Sequence, residues 1–100
     1  MMRFTDPAVE AWTQLEQPRS RHALLLRAAE VLDSIEFDTV SAWESAQDVR
    51  IPGVTSRVRR TLIEEGDPSF WVYWRVAGDI DPTTVDTEVD VDVLDFVHDY

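Results

Sequence analysis

The chain has 100 residues, 44% of them hydrophobic, which suffices for one globular core and is too apolar for a disordered segment. It has no cysteine, so disulfides, thiol catalysis and thiolate metal sites are excluded. Twenty acids against nine bases give a formal net charge of -11, which opposes binding to phosphate backbones.

Every base is an arginine and lysine is absent. A high-GC genome gives this usage; so does a salty cytoplasm, where an acidic, lysine-poor surface keeps a protein in solution. In such a host, salt screens long-range repulsion within a few ångströms and weakens the argument against nucleic acid. The charge is also unevenly placed. Arg50, Arg57, Arg59 and Arg60 form a small basic zone, whereas no arginine follows Arg75 in a tail rich in aspartate. That acidic run reads first as a solvated face. No apolar run is long enough to span a membrane and the start lacks a signal-peptide core, so a cytoplasmic location is expected.

In chain order, Met2 to Thr5 predicts a short strand. Asp6-Pro7 predicts a helix start, with Asp6 as cap and Pro7 at the first helical position. Ala8, Trp12 and Leu15 mark its apolar face, and Pro18 ends it. A second helix opens at Pro18 or Ser20 and runs to about Ile35. Its stripe is Leu24, Ala28, Val31 and Ile35, widened by Leu25, Ala29 and Leu32, with Leu26 extending the arc. Residues 36 to 53 read as a loop with one short helical turn around Val40 to Ala46.

Three strands follow. Arg57 to Glu64 and Phe70 to Ala77 form an antiparallel hairpin through the Gly66-Asp67 turn. Glu88 to Val97 is the third, solvated on one face at its acidic start and buried on both sides later. The order βααβββ predicts an α+β sandwich of two layers, a helical hairpin on a mainly antiparallel sheet.

That order and several residues within it resemble the RelE/ParE superfamily of type II toxin–antitoxin toxins, over roughly Phe4 to His98. The opening Phe4-Thr5-Asp6-Pro7-Ala8 with Trp12 and Leu15 is similar to the family's start, and the helix with Arg21, Leu24, Leu25 and Leu32 to its second helix. Val58-Arg59-Arg60 and Phe70-Trp71-Val72-Tyr73-Trp74-Arg75-Val76 look like its arginine strand and aromatic strand, and the closing segment to His98 like its last strand. The chain departs from the pattern at Ser69 and Phe70, where an arginine is common, at Asp99, where a base is common, and in its acidity.

The resemblance implies a toxin neutralised by a partner antitoxin. In the nuclease branch it also implies cleavage of mRNA on the ribosome, by attack of a ribose 2′-OH on the adjacent phosphate. That reaction needs a base, an acid and cations for the transition-state charge. The candidate catalytic residues are Arg59, Arg75, His98 and Tyr100; the candidate substrate-binding residues are Arg57, Arg60, Trp71 and Tyr73. The period of two puts Arg57 and Arg59 on one strand face as a phosphate clamp and Arg60 on the other. An uncovered Trp71-Tyr73-Arg75 row would stack bases or bind a partner. Against these stand plainer readings: arginines paired with the abundant acids, core aromatics, and a solvated terminal His98. Asp79, Asp81 and Asp86 fit no calcium loop, and no metal or cofactor is expected. A second function on the same fold is a protein that binds without cleaving, either a topoisomerase poison or a member that only pairs with its partner. A third is an unrelated acidic adaptor.

Overall fold

Alternation along one strand sets the architecture. In Ser69–Val76, the residues Phe70, Val72, Trp74 and Val76 are buried while those between them are half-buried, the pattern of a central strand with one covered face. The computed structural model describes residues 1–16, 22–64 and 69–99. Its elements are β1 (Met2–Phe4), α1 (Asp6–Glu16), α2 (His22–Phe37), α3 (Thr39–Ser45), β2 (Gln47–Val49), β3 (Val58–Ile63), β4 (Ser69–Val76) and β5 (Val91–Asp99). The strands form one open sheet in the order β1-β5-β4-β3-β2, antiparallel except where β1 runs parallel to β5. The chain is therefore α+β, with the helices on one face of the sheet.

The core lies between these layers. Ala8 and Leu15 of α1, Leu24, Ala28, Val31, Leu32 and Ile35 of α2, and Trp43 of α3 pack on the buried residues of β3, β4 and β5. Phe4, Trp12 and Phe96 close one end as a three-ring cluster with centroids 5.5–6.3 Å apart. Asp6 lies within the first turn of α1 rather than before it, and the Thr5 carbonyl accepts the opening bond from the Val9 N–H at 3.0 Å. Leu26 does not extend the packing arc of α2: it is 55% exposed, because the helix meets neighbours along one stripe. Pro18, Ser20 and the Gly66-Asp67 turn lie outside the described residues.

Two parts of the sheet depart from the sequence expectation. The stretch expected to be a loop holds α3 at the place of the expected turn, and then β2, a fifth strand. Gln47-Asp48-Val49 has neither alternation nor β-branched enrichment, so only its pairing with Val58, Arg59 and Arg60 makes it a strand. The last strand starts at Val91 rather than Glu88, and it is irregular. Tyr73 pairs with Asp95 while Trp74 pairs with Val93, so Leu94 is an extra residue in β5. The bulge changes which residues face the core, from Val91 and Val93 before it to Phe96 after it. Val97, which unbroken alternation from Val91 and Val93 would put on their buried face, is therefore only half-buried. The Leu94 carbonyl, displaced from the ladder, accepts the Thr5 hydroxyl at 2.7 Å.

Candidate functional site on the uncovered sheet face

Strand parity divides the arginines. Arg59 pairs with buried Trp74 and shares parity with Ile63, so it lies on the helix-covered side. Its guanidinium sits over the Trp43 ring at 4.1 Å, and one of its Nη atoms donates to the carbonyls of Trp43 and Ala46 at 3.2 and 3.3 Å. Its Nε lies 3.2 Å from an Asp48 carboxylate oxygen without a hydrogen bond to it, so that contact is an ion pair with misdirected geometry. With 17% of its side chain exposed, Arg59 seals the rim of the core beneath α3.

Arg57 precedes β3 rather than opening it. Its guanidinium also approaches Trp43, at 5.6 Å, so the two arginines expected on one side do meet at one ring. Arg57 is held by Asp79: its backbone N–H donates to the carboxylate at 2.9 Å, its Nε to the same oxygen at 3.4 Å, and an Nη to the Asp79 carbonyl at 2.9 Å. Asp79 has φ +54°, a left-handed conformation that aspartate tolerates better than most residues. The Arg57 N–H first, and then its guanidinium, hold the Asp79 carboxyl below its ordinary pKa. In the same turn the Thr83 hydroxyl and then its N–H lower that of Asp81, at 2.6 and 2.9 Å.

The uncovered face carries the other candidates. Arg60 pairs with Tyr73 there, stacks over Trp71 at 4.0 Å and donates to Gln47 Oε1 at 3.0 Å. Arg75 lies opposite Asp92, with its Nε 3.4 Å from the carboxylate, and an Nη donates to the Ser56 hydroxyl at 3.2 Å. Arg3 of β1 reaches the same Asp92 at 3.3 Å, so one carboxylate joins three strands. Trp71 and Tyr73 are half-buried between these groups, with Leu62 beside Trp71. The result is a cationic–aromatic surface on a strongly acidic chain.

His98 pairs with Phe70 near the end of β5. Phe70 is five residues along β4 from Arg75, roughly 16 Å at about 3.3 Å per residue. Arg59, opposite Trp74, is roughly 13 Å along the sheet from that rung. The structure does not bring Arg59, Arg75 and His98 to one point. The side chain of His98, and Tyr100 altogether, lie outside the described residues. Among the described residues, no three His, Asp or Glu side chains are grouped to hold a metal, and no helix is long and apolar enough to cross a membrane.

Comparison with protein-family models, with curated proteins and with solved structures finds no match to this chain. The reading of the site therefore rests on its own geometry. Reasoning from sequence missed Trp43 and Asp48 as partners of Arg59, whereas the plainer expectation of arginines paired with the abundant acids is met where Arg75 faces Asp92. One signal was present for Arg59: it shares strand parity with Ile63, a core residue four positions on. Asp92 could have been found as the acid facing Arg75 once the third strand was paired.

Proposed function

We propose that the chain is a partner-binding domain of a type II toxin–antitoxin system, built on a RelE/ParE-like scaffold, that acts by binding protein through its uncovered sheet face rather than by cleaving RNA. The observation that carries this reading is the division of the arginines. The phosphate clamp of Arg57 and Arg59 would need two free forks, and Arg59 is instead spent on Trp43 and two backbone carbonyls. A general acid at His98 would stand far along the sheet from either Arg59 or Arg75. The Arg60–Trp71–Tyr73–Arg75 surface has the composition of a protein-binding centre, where aromatics and arginine dominate the energy.

The mRNA-nuclease reading keeps one specific support: Arg60 and Arg75 flank two half-buried aromatic rings on the sheet face opposite the helix-packed core, an arrangement suited to stacked bases between phosphates. Induced expression, with and without the neighbouring reading frame, separates the two. The binding reading expects intact mRNA on primer extension and co-purification with the neighbour's product. It also expects that association to be lost in Trp71→Ala or Arg60→Ala. Codon-positioned cuts that disappear in Arg60→Ala would transfer the site to the nuclease. DNA damage that depends on a topoisomerase would make that enzyme the bound partner.

A further inference from the structure

Phe37, the last residue of α2, is 78% exposed, and Val40 at the start of α3 is 40% exposed. An aromatic side chain left in water at a helix end forgoes most of the burial that would stabilise it. Both residues line a groove of about 600 Å³ between the α2–α3 corner and the connector that follows Pro82. Four carboxylates share the lining: Glu36 and Asp38 on one wall, Asp86 and Glu88 on the other. None of them makes an ion pair or a side-chain hydrogen bond among the described residues, whereas Asp48, Asp79, Asp81, Asp90 and Asp92 are all paired.

The sequence explains why no internal cation answers these acids. Neither residues 28–49 nor residues 76–97 contain an arginine, lysine or histidine, so both walls are built from cation-free chain. The α2 helix has no base in its last turn, and its carbonyl end adds negative potential at the same corner. Among the described residues, the positive group at the groove is the terminal ammonium of Met1, and it is held by Asp90 at 3.0 Å.

We propose that this groove is a docking site for a basic, amphipathic segment of a partner protein. Its apolar side chains rest on Phe37 and Val40, and its arginines or lysines bridge the two acidic walls. None of the groove's residues belongs to the cationic–aromatic sheet face, so the two surfaces carry opposite charge and select different segments. A purely electrostatic ligand would leave Phe37 wet, and an anionic one would be repelled by both walls.

The test is fluorescence anisotropy with the intact chain and a labelled helical peptide of leucine and lysine. A peptide of glycine, serine and lysine with the same charge serves as control. Phe37→Ser and the combined Glu36→Gln, Asp38→Asn, Asp86→Asn, Glu88→Gln variant are compared after circular dichroism confirms the native fold. These positions lie outside the hydrophobic core, and the single-site variant keeps the proposal falsifiable if the fourfold one misfolds. The leucine–lysine peptide should bind about tenfold or more tightly than the control and lose about tenfold or more in either variant. Equal binding of both peptides, or undiminished binding to Phe37→Ser, overturns the proposal. So does sedimentation that shows a dimer dissolved by Phe37→Ser, which would make the groove an interface between copies. Because the groove and the sheet face share no residue, failure here leaves the sheet-face reading standing.

Discussion

The Thr5 hydroxyl donates to the Leu94 carbonyl oxygen at 2.7 Å, across 89 residues of sequence. A bulge frees a carbonyl from the ladder, and the end of the neighbouring parallel strand supplies the donor that satisfies it. Replacing Thr5 with valine keeps the shape and removes the donor in a part-buried setting. The expected loss is about 1 kcal/mol, or about 4–8 °C in Tm for a chain of this size. Thr5→Ser should recover most of it. Thermal denaturation followed by circular dichroism decides the matter, and an unshifted midpoint for the valine variant would show that the carbonyl finds another partner.

Arg59 and Arg60 are adjacent, yet their removal should differ in kind. Arg59→Ala loses a stacked ring and two carbonyl bonds at a site 17% exposed, with an expected cost of about 2 kcal/mol in urea unfolding. Arg60→Ala loses an exposed stack and one amide bond, and should cost less than about 1 kcal/mol. If the order were reversed, Arg59 would be the free cation and the assignment of the two faces would need revision.

The lowered pKa of Asp79 has a signed consequence. A carboxyl depressed in the folded state contributes stability above its unfolded value, near pH 4, and that contribution is lost as pH falls through the folded value. Asp79→Asn tolerates the left-handed backbone while removing the charge. It should lower stability at neutral pH and flatten the acid limb of a stability–pH curve. Because the carboxylate is exposed, the difference should shrink in high salt. An acid limb identical to that of the parent would remove Asp79 from the account.

Net charge makes a separate prediction. A surface at -11 repels itself, and salt shortens the range of that repulsion from about 10 Å at about 0.1 M to about 3 Å at about 1 M. Tm should rise over that interval in potassium chloride. A fall would mean that the chain's exposed ion pairs outweigh its self-repulsion.

The β3–β4 pairing and the helix stripes were legible because period two and period 3.6 are visible in one short window of sequence. Phe70, Val72, Trp74 and Val76 sit on one face as the alternation requires. β2 was not legible, since Gln47-Asp48-Val49 owes its conformation to Arg59 and Arg60, more than ten residues on. The bulge left a trace: the buried positions step by two from Val91 to Val93 and then by three to Phe96. At the site, Arg75 facing an aspartate followed from pairing. The fate of Arg59 did not, because Trp43 reaches it from α3, and the docking of that helix on β3 is a tertiary contact that no short window of sequence shows.

The parallel pairing of β1 with β5 places the first rung of the sheet beside the last. Closing so large a loop is slow relative to forming the hairpins, and during synthesis β1 has no partner until almost the whole domain has left the ribosome. Until then β1 is open to pairing with another chain, and so is the edge of β5 between its emergence and its closure on β1. The window for mispairing is therefore set by the rate of that closure and not by the stability of the finished sheet.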